Sequence, residues 1–172
     1  MSKKLEIERK YLVKFPASWS DLTALFDQLI DVKRISQTYL KSKNGEPSAR
    51  VRRTLQGLSG DTEVVYHYNQ KFFVEDGIND ELEKEITKKQ YEEYLKNPLP
   101  NKFTLEKTRF VFCYKKQTFE LDVFKGPLKG LAILEIELKS KDQKVELPPY
   151  LKVIKEVTRE KKYNNFSLCE KK

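Results

Sequence analysis

The chain contains only one histidine, His67, and two cysteines, Cys113 and Cys169, which lie far apart in the sequence. A single histidine argues against a histidine-rich metal site and against a serine–histidine–aspartate triad. Because the two cysteines fit no metal-ligand spacing, we expect free thiols in a reducing cytoplasm. With no partner histidine, His67 is expected to be a structural or an exposed residue.

Long apolar runs are also missing. No stretch is apolar enough over a sufficient length to span a bilayer, and no signal peptide precedes Glu6. The sequence has no linker, repeat or low-complexity tract. Its 172 residues suffice for a sizeable core. We therefore predict a single domain over residues 1–172, located in the cytoplasm and not bound to a membrane.

The charge of the chain is strongly positive, at a formal +8. A basic balance favours attraction to polyanions, which include nucleic acid, an anionic membrane and phosphate-rich small molecules. Some lysines are scattered and others are terminal, so net charge alone does not choose among these partners.

The most informative stretch runs from Glu6 to Lys10. In a β-strand, Glu6, Glu8 and Lys10 share one face, because successive side chains point to opposite sides. Two carboxylates so close repel each other unless a cation lies between them, and the lysine completes a site suited to a metal ion beside an anion. The alternative is a surface strand with a solvated charged face.

Seven further stretches have strand character, and most of them again alternate charged and apolar residues. They are residues 35–40, 49–55, 63–73, 81–86, 103–114, 119–124 and 131–139, with turn signals at 44–47 and 76–80 and a loop at 57–61.

Helical periodicity appears in three places. An apolar stripe over residues 22–30 predicts a helix with Ser18 or Ser20 at its N-cap and its end near residues 31–33. Thr87 and Gln90 have the spacing of a capping box before a second helix. A short third helix is predicted from Pro148 to Ile154.

Eight strands separated by turn signals predict an α+β fold with a closed eight-stranded antiparallel β-barrel and helices packed outside. The helices need an apolar surface to cover, so the apolar strand faces should point outward and the charged faces inward. The predicted interior holds the carboxylates Glu6, Glu8, Glu81, Glu83, Glu120, Asp122, Glu135 and Glu137. The predicted cations facing them are Lys10, Arg50, Arg52, Lys71, Lys107 and Arg109.

Burying so many charges without partners would cost several kcal/mol for each. A water-filled tunnel that contains bound ions avoids this cost. Carboxylates suit hard cations such as Mg²⁺ or Mn²⁺, and arginine and lysine suit the oxygens of a phosphate chain. A metal that bridges phosphate and carboxylate polarises phosphorus and positions a water molecule.

At this point the sequence resembles the CYTH domain family of triphosphate tunnel metalloenzymes, in particular its small bacterial inorganic triphosphatases. The family signature, Glu-x-Glu-x-Lys, is present at residues 6–10. The similarity continues in order through nearly the whole chain. It includes residues 37–40, 50–52, 81–83, 106–109, 120–124, Gly130, 135–138, 156–158 and 162–163.

The resemblance implies a divalent cofactor, Mg²⁺ or Mn²⁺, and a small-molecule substrate that carries a triphosphate. It assigns the metal to Glu6, Glu8, Glu135 and Glu137, with Glu81 and Glu83 supporting a second metal or the attacking water. It assigns the phosphates to Lys10, Arg50, Arg52, Lys71, Lys107, Arg109 and Lys162. It gives catalytic roles to Tyr39, Lys107 and Glu83.

One position departs from the family pattern. Members usually carry Thr-x-Lys at the end of the fourth strand, whereas this chain has Asn69, Gln70 and Lys71. Lys71 keeps the charge without the usual threonine, which leaves the register of this strand and the substrate preference open.

The leading functional prediction is hydrolysis of inorganic triphosphate to pyrophosphate and phosphate. The alternatives are a class IV-like adenylate cyclase that converts ATP to cyclic AMP, and a thiamine or nucleoside triphosphatase. A non-catalytic binder of polyphosphate or RNA is disfavoured because the arginines alternate with carboxylates and no regular aromatic pattern would stack bases. We therefore expect no nucleic-acid partner. A homodimer is compatible with the sequence, although no residue pattern specifies one.

Overall fold

The computed structural model describes residues 4–41, 49–57 and 62–171. The predicted turn at 44–47 and most of the predicted loop at 57–61 lie outside these ranges. Within them the strands are β1 (Lys4–Lys14), β2 (Leu29–Tyr39), β3 (Ala49–Gln56), β4 (Glu63–Glu75), β5 (Ile78–Glu85), β6 (Leu105–Tyr114), β7 (Gln117–Phe124), β8 (Ala132–Leu138) and β9 (Lys152–Glu156). The α-helices are α1 (Trp19–Phe26), α2 (Lys88–Tyr94) and α3 (Asn165–Leu168).

Eight of the strands close into an antiparallel barrel, as predicted. The strands follow one another around the wall in the order β1, β5, β4, β3, β2, β6, β7, β8 and back to β1. The ninth strand, β9, lies outside this ring and pairs with the end of β1. One edge of β1 therefore pairs first with β5 and then with β9, and the other edge pairs with β8.

The main apolar core lies between the outer face of the barrel and the elements that cover it. Leu25 of α1 is fully buried against apolar residues of β1, β6, β7 and β8. On another side, Tyr91 of α2 packs on Tyr66 of β4, with 4.9 Å between ring centroids. The prediction of apolar faces outward beneath helices is confirmed. Both predicted caps are also present, Ser18 on α1 and the Thr87 capping box on α2.

A second apolar cluster lies at one end of the barrel. Its buried members are Tyr39, Leu105, Phe124, Ile133 and Cys169. By the alternation of strand side chains, Phe124 shares its face with Asp122, and Ile133 shares its face with Glu135. These apolar side chains thus occupy the inner faces at the end of the barrel next to α3. The charged side chains line the rest of the barrel interior.

Parts of two predicted helical segments are strands instead. The first helix ends at Phe26, and residues predicted to be helical from Leu29 onward belong to β2. Pairing of Leu29 with Phe112 of β6 outweighs the local helical periodicity. The predicted helix from Pro148 to Ile154 is wrong in the same way, because residues from Lys152 form β9 on the open edge of β1. In the described ranges, no helix combines the length and hydrophobicity required to cross a membrane.

Candidate active site

The barrel encloses an elongated charged cavity of about 450 Å³. Most of the charges predicted to face inward line it. They are Glu6, Glu8, Lys10, Arg50, Arg52, Lys71, Lys107, Arg109, Glu120, Glu135 and Glu137. The three other predicted interior carboxylates, Glu81, Glu83 and Asp122, bind cations of this lining. We call this space the tunnel.

Along β1 and β8 the carboxylates surround an ammonium group. The Nζ atom of Lys10 lies 3.2 Å from Glu8 and 3.1 Å from Glu135. Burial alone would lower the pKa of Lys10, but the attraction of Glu135 and Glu8 outweighs it and raises this pKa. On the facing strand β4, Lys71 donates to Glu6. Both lysines are therefore paired with the signature carboxylates.

A second group of charges lies on β6 and β7. Arg109 donates from Nε to Asp122 at 2.6 Å and from Nη2 to both Asp122 at 2.7 Å and Glu135 at 2.9 Å. It also binds Glu120. Burial would lower the pKa of Arg109, but these carboxylates raise it well above its usual value. Lys107 donates to Asp122, and burial lowers the pKa of this lysine despite that contact.

The third group spans β3, β4 and β5. Arg50 binds Glu81 at 3.3 Å and Arg52 binds Glu83 at 2.8 Å. Between them, the side chain of Asn69 donates to both carboxylates. Burial would raise the pKa of Glu83, but Arg52, the hydrogen bond from Asn69 and the neighbouring His67 and Arg50 together outweigh burial and lower it. The carboxylate is therefore ionised near neutral pH.

Two guanidinium donors in this group have no partner in the part of the chain that the structure describes. The Nε atoms of Arg50 and Arg52 are buried and, among the described residues, unpaired. Buried polar groups are normally hydrogen-bonded, and a planar guanidinium matches the oxygens of a phosphate. The two arginines thus have capacity for an anion in the tunnel beyond their bonds to carboxylates.

Tyr39 lies beside the tunnel in an adjoining cavity of about 340 Å³. Its hydroxyl accepts a hydrogen bond of 3.0 Å from Gln37, and its ring contacts Phe166 edge-on at 5.0 Å. Burial raises the pKa of Tyr39, with Arg50 acting in the opposite direction. The adjoining cavity combines aromatic and amide side chains with charges that it shares with the tunnel.

One predicted substrate residue lies elsewhere. Lys162 is 68% exposed and pairs with Glu160 at 3.4 Å, and it does not line either cavity. His67, predicted to be structural or exposed, lies 3.7 Å from Glu83, and burial lowers its pKa.

Several residues that the sequence did not identify contribute to the site. Gln37 holds Tyr39, Asn69 holds two carboxylates, and Thr158 accepts from the backbone of Lys10 at 3.0 Å. Asn69 stood out in the sequence only as a departure from the family pattern. Gln37 and Tyr39 lie on the same face of β2, as strand alternation places them, but the pattern does not reveal their hydrogen bond. The role of Thr158 depends on a contact with β1, far away in the sequence, which no local pattern reveals.

The carboxylates of the tunnel match a hard divalent cation in the chemistry of their oxygen donors. In the described part of the chain, however, no three histidine, cysteine or acidic side chains converge into a preformed metal site. Lys10 and Lys71 occupy positions beside the signature carboxylates. A divalent cation therefore fits the donor set, provided that these ammonium groups move aside.

Known structures with this fold include an inorganic triphosphatase. Two structures of that protein, NE1496, are 29% and 30% identical to this chain and cover 95% of it, with TM-scores of 0.58. The alignments span 93% and 96% of the NE1496 chains. A search of curated proteins gave no significant match.

More distant structures share the fold alone. PH1819 from Pyrococcus horikoshii is 21% identical over 80% of both chains, with a TM-score of 0.50. HpAC1 from Hippeastrum, described as having a dominant triphosphatase activity, is 13% identical with a TM-score of 0.51, over 78% of this chain and 80% of its own.

The family model of the CYTH domain matches residues 4–167. With this match over nearly its whole length, the chain belongs to the CYTH domain family.

Proposed function

We propose that the chain hydrolyses inorganic triphosphate to pyrophosphate and phosphate with Mg²⁺ or Mn²⁺ as cofactor. The observation that carries the proposal is the lining of the tunnel, in which all six predicted lysine and arginine side chains face one enclosed cavity. The similarity to the inorganic triphosphatase NE1496 supports the same reaction.

The shape and donor chemistry of the tunnel suit a short phosphate chain. Arg50 and Arg52 lie on β3, and Lys107 and Arg109 lie on neighbouring positions of β6. A linear polyanion within the tunnel would meet cations from several sides. The unpaired Nε atoms of Arg50 and Arg52 would donate to its oxygens.

The charge balance argues for a divalent cation. Each of the six cations already has a carboxylate partner, so a triphosphate must compete with carboxylates for every one. We propose that Glu6, Glu8, Glu135 and Glu137 hold the cation, and that Glu81 and Glu83 support a second cation or the attacking water. Such an ion would polarise the phosphorus centre and position the water.

Individual side chains then have distinct roles. Lys10, Lys71, Arg50, Arg52 and Arg109 would orient the phosphate chain. Lys107 is only 3% exposed, and burial lowers its pKa, which makes it a better proton donor to the leaving pyrophosphate oxygen. Tyr39 would contact the substrate where the tunnel meets the adjoining cavity, and Glu83 would orient water.

The adjoining cavity favours a second candidate substrate. The rings of Tyr39, Phe73 and Phe166 line it next to Lys10 and Arg50 of the tunnel. Aromatic faces of this kind suit a flat organic group attached to the phosphate chain. ATP, either hydrolysed or cyclised to cyclic AMP, and thiamine triphosphate are therefore the alternatives.

One set of assays tests these candidates. The purified protein is incubated with triphosphate, ATP or thiamine triphosphate, each with Mg²⁺, Mn²⁺ or EDTA, while phosphate, pyrophosphate and cyclic AMP are quantified. We expect the highest kcat/KM with inorganic triphosphate and no turnover in EDTA. Cyclic AMP as the main product would replace hydrolysis by cyclisation. Binding of polyphosphate without turnover, unaffected by EDTA, would contradict an enzymatic role.

A further inference from the structure

Asn69 occupies the middle of the site although it carries no charge. On β4 its register partners are Arg50 of β3 and Glu83 of β5. Its side chain is fully buried. Its Nδ2 donates to two carboxylates, whereas its Oδ1 has no partner among the described residues. The position therefore uses the donors of the amide and not its acceptor.

Asn69 shares its acceptors with the two arginines. The Oε1 atom of Glu81 accepts from Arg50 Nη2 at 3.3 Å and from Asn69 Nδ2 at 3.1 Å. The Oε2 atom of Glu83 accepts in the same way from Arg52 and from Asn69. Because Nδ2 donates in both bonds, the amide is oriented with its nitrogen toward the two carboxylates.

This sharing matters when an anion enters. A phosphate chain that takes over the guanidinium of Arg50 or Arg52 draws it away from its carboxylate. Leaving a partly buried carboxylate without a donor is costly, and that cost would weaken binding of the anion. A neutral donor that stays in place on both carboxylates reduces this cost and does not compete for the phosphate.

We propose that Asn69 is a positioning residue that keeps Glu81 and Glu83 hydrogen-bonded while Arg50 and Arg52 turn from these carboxylates to the substrate's phosphates. The inference rests on the proposed function, since it requires a phosphate chain in the tunnel. It concerns a step of binding, so its effect falls on affinity and KM more than on kcat.

The two hydrogens of the amide nitrogen are essential to this role. Asn69→Leu removes both donors at similar volume. Asn69→Thr offers one hydroxyl donor, which can serve only one of the two carboxylates. The series Asn, Thr and Leu therefore grades the number of donors from two to zero at a single buried position.

The test measures the Kd for pyrophosphate by titration calorimetry with Mg²⁺ present, together with KM and kcat for triphosphate. For Asn69→Leu we expect the Kd and KM to rise by about tenfold to a hundredfold, because a hydrogen bond to a charged group is lost twice. Asn69→Thr should fall between the wild type and the leucine variant, with kcat changed much less than KM.

A matched control separates positioning from stability. Thr38 is buried on β2, and its hydroxyl bonds that of Thr104 at 2.9 Å, away from the tunnel lining. Thr38→Val also removes a buried hydrogen bond and should lower the melting temperature without changing KM. If Asn69→Leu lowers only stability and leaves the Kd and KM within twofold, the inference is wrong and the proposed function stands.

Two other results are decisive. If Asn69→Leu fails to fold, Asn69→Thr alone must show a raised KM, and an unchanged KM in that variant contradicts the inference. If the wild type neither binds pyrophosphate nor hydrolyses triphosphate, the proposed function fails, and the role of Asn69 fails with it.

Discussion

Glu8 and Glu137 lie directly opposite each other on β1 and β8, where they are register partners. Like charges in directly opposed positions destabilise an antiparallel pair. The next inward-facing register pair, Lys10 with Glu135, joins opposite charges, and Lys10 also contacts Glu8 at 3.2 Å. The pairing of β1 with β8 thus tolerates one unfavourable carboxylate pair beside a favourable ion pair. We infer that the pair is retained for binding a cation rather than for stability.

Replacing one of these carboxylates should separate stability from activity. Glu137→Gln removes the like-charge repulsion, so in EDTA we expect the free energy of unfolding to stay unchanged or to rise by up to about 1 kcal/mol. Turnover of triphosphate with Mg²⁺ should fall by more than about tenfold, because a proposed oxygen ligand of the cation is weakened. Urea denaturation and steady-state kinetics provide the two measurements.

The control for this substitution is Glu93→Gln on α2, whose side chain is 70% exposed and paired with Lys96. It should change neither quantity. A Glu137→Gln variant that keeps full activity would exclude this carboxylate from the metal site.

Arg109 should contribute strongly to stability. It binds Asp122, which is completely buried, through two of its nitrogens and also binds Glu135 and Glu120. Arg109→Met leaves these carboxylates without their guanidinium, and we expect a loss of about 3–5 kcal/mol in the free energy of unfolding. Urea denaturation measures it.

Arg159, which is exposed, offers the comparison for that loss. Arg159→Met should change the free energy of unfolding by less than about 0.5 kcal/mol. Equal effects of the two substitutions would show that the interior ion pairs of β6 and β7 do not stabilise the fold.

The alternation of charged and apolar residues was sufficient to predict the closed barrel and its inward charges. Leu29 and Ile30 were assigned to a helix because they extend the spacing of Leu22 and Leu25, yet Leu29 pairs with Phe112 of β6 and Ile30 lies at the register shift that follows it in β2. Similarly, residues from Lys152 become a strand only because β1 continues beyond β5 and leaves an edge to pair with. In both cases, pairing between segments distant in the sequence determines the secondary structure. Local periodicity does not reveal such pairing.

The sequence predicted the charged residues of the site better than its uncharged ones. Strand alternation placed Glu6, Glu8 and Lys10 correctly on the inner face. Asn69 was noticed only as an exception to a family pattern, since an uncharged amide has no distinctive spacing. The role proposed for it depends on two carboxylates of another strand, and only the fold brings them within hydrogen-bond distance of it.

Gly77 joins β4 to β5 at the point where β1 passes from one partner strand to the other. It has a φ of +78°, and its carbonyl accepts from the backbone of Glu8 at 2.8 Å. A Cβ atom there would lie 2.8 Å from both the carbonyl oxygen of Glu8 and a methyl group of Thr158. We expect Gly77→Ala to destabilise the fold by about 2–4 kcal/mol, as measured by thermal unfolding.

Gly126→Ala is the appropriate comparison for Gly77. The φ of Gly126 is also positive, at +58°, but no described atom lies within 4 Å of a Cβ added there. Strain alone should cost about 1 kcal/mol there. Gly77→Ala should also reduce turnover, because the clash displaces Glu8. Similar effects at both glycines would rule out close packing at Gly77 as the cause.

Alkaline pH should destabilise the fold through Tyr150. Burial raises the pKa of Tyr150 to about 12, and its hydroxyl donates to Gln28 at 3.3 Å. In the unfolded chain a tyrosine ionises near pH 10, roughly its unperturbed value. Between these values the folded state binds more protons, so the contribution is complete below about pH 10 and is lost as pH rises toward 12.

Tyr150→Phe isolates that contribution. The variant cannot ionise at this position, so its free energy of unfolding should fall less steeply between pH 9 and 11.5 than that of the wild type. Urea denaturation at several pH values in this window measures both slopes. Identical slopes would mean that Tyr150 has the same pKa in the folded and unfolded states.

The most direct test of the ion-filled tunnel is anomalous diffraction from crystals grown with Mn²⁺ and pyrophosphate. We predict a manganese peak inside the barrel in contact with carboxylates of the first and eighth strands, Glu6, Glu8, Glu135 or Glu137, and phosphate groups against Arg50 and Arg52. Manganese and phosphate found only on the outer surface, with the interior ion pairs unchanged, would contradict the account.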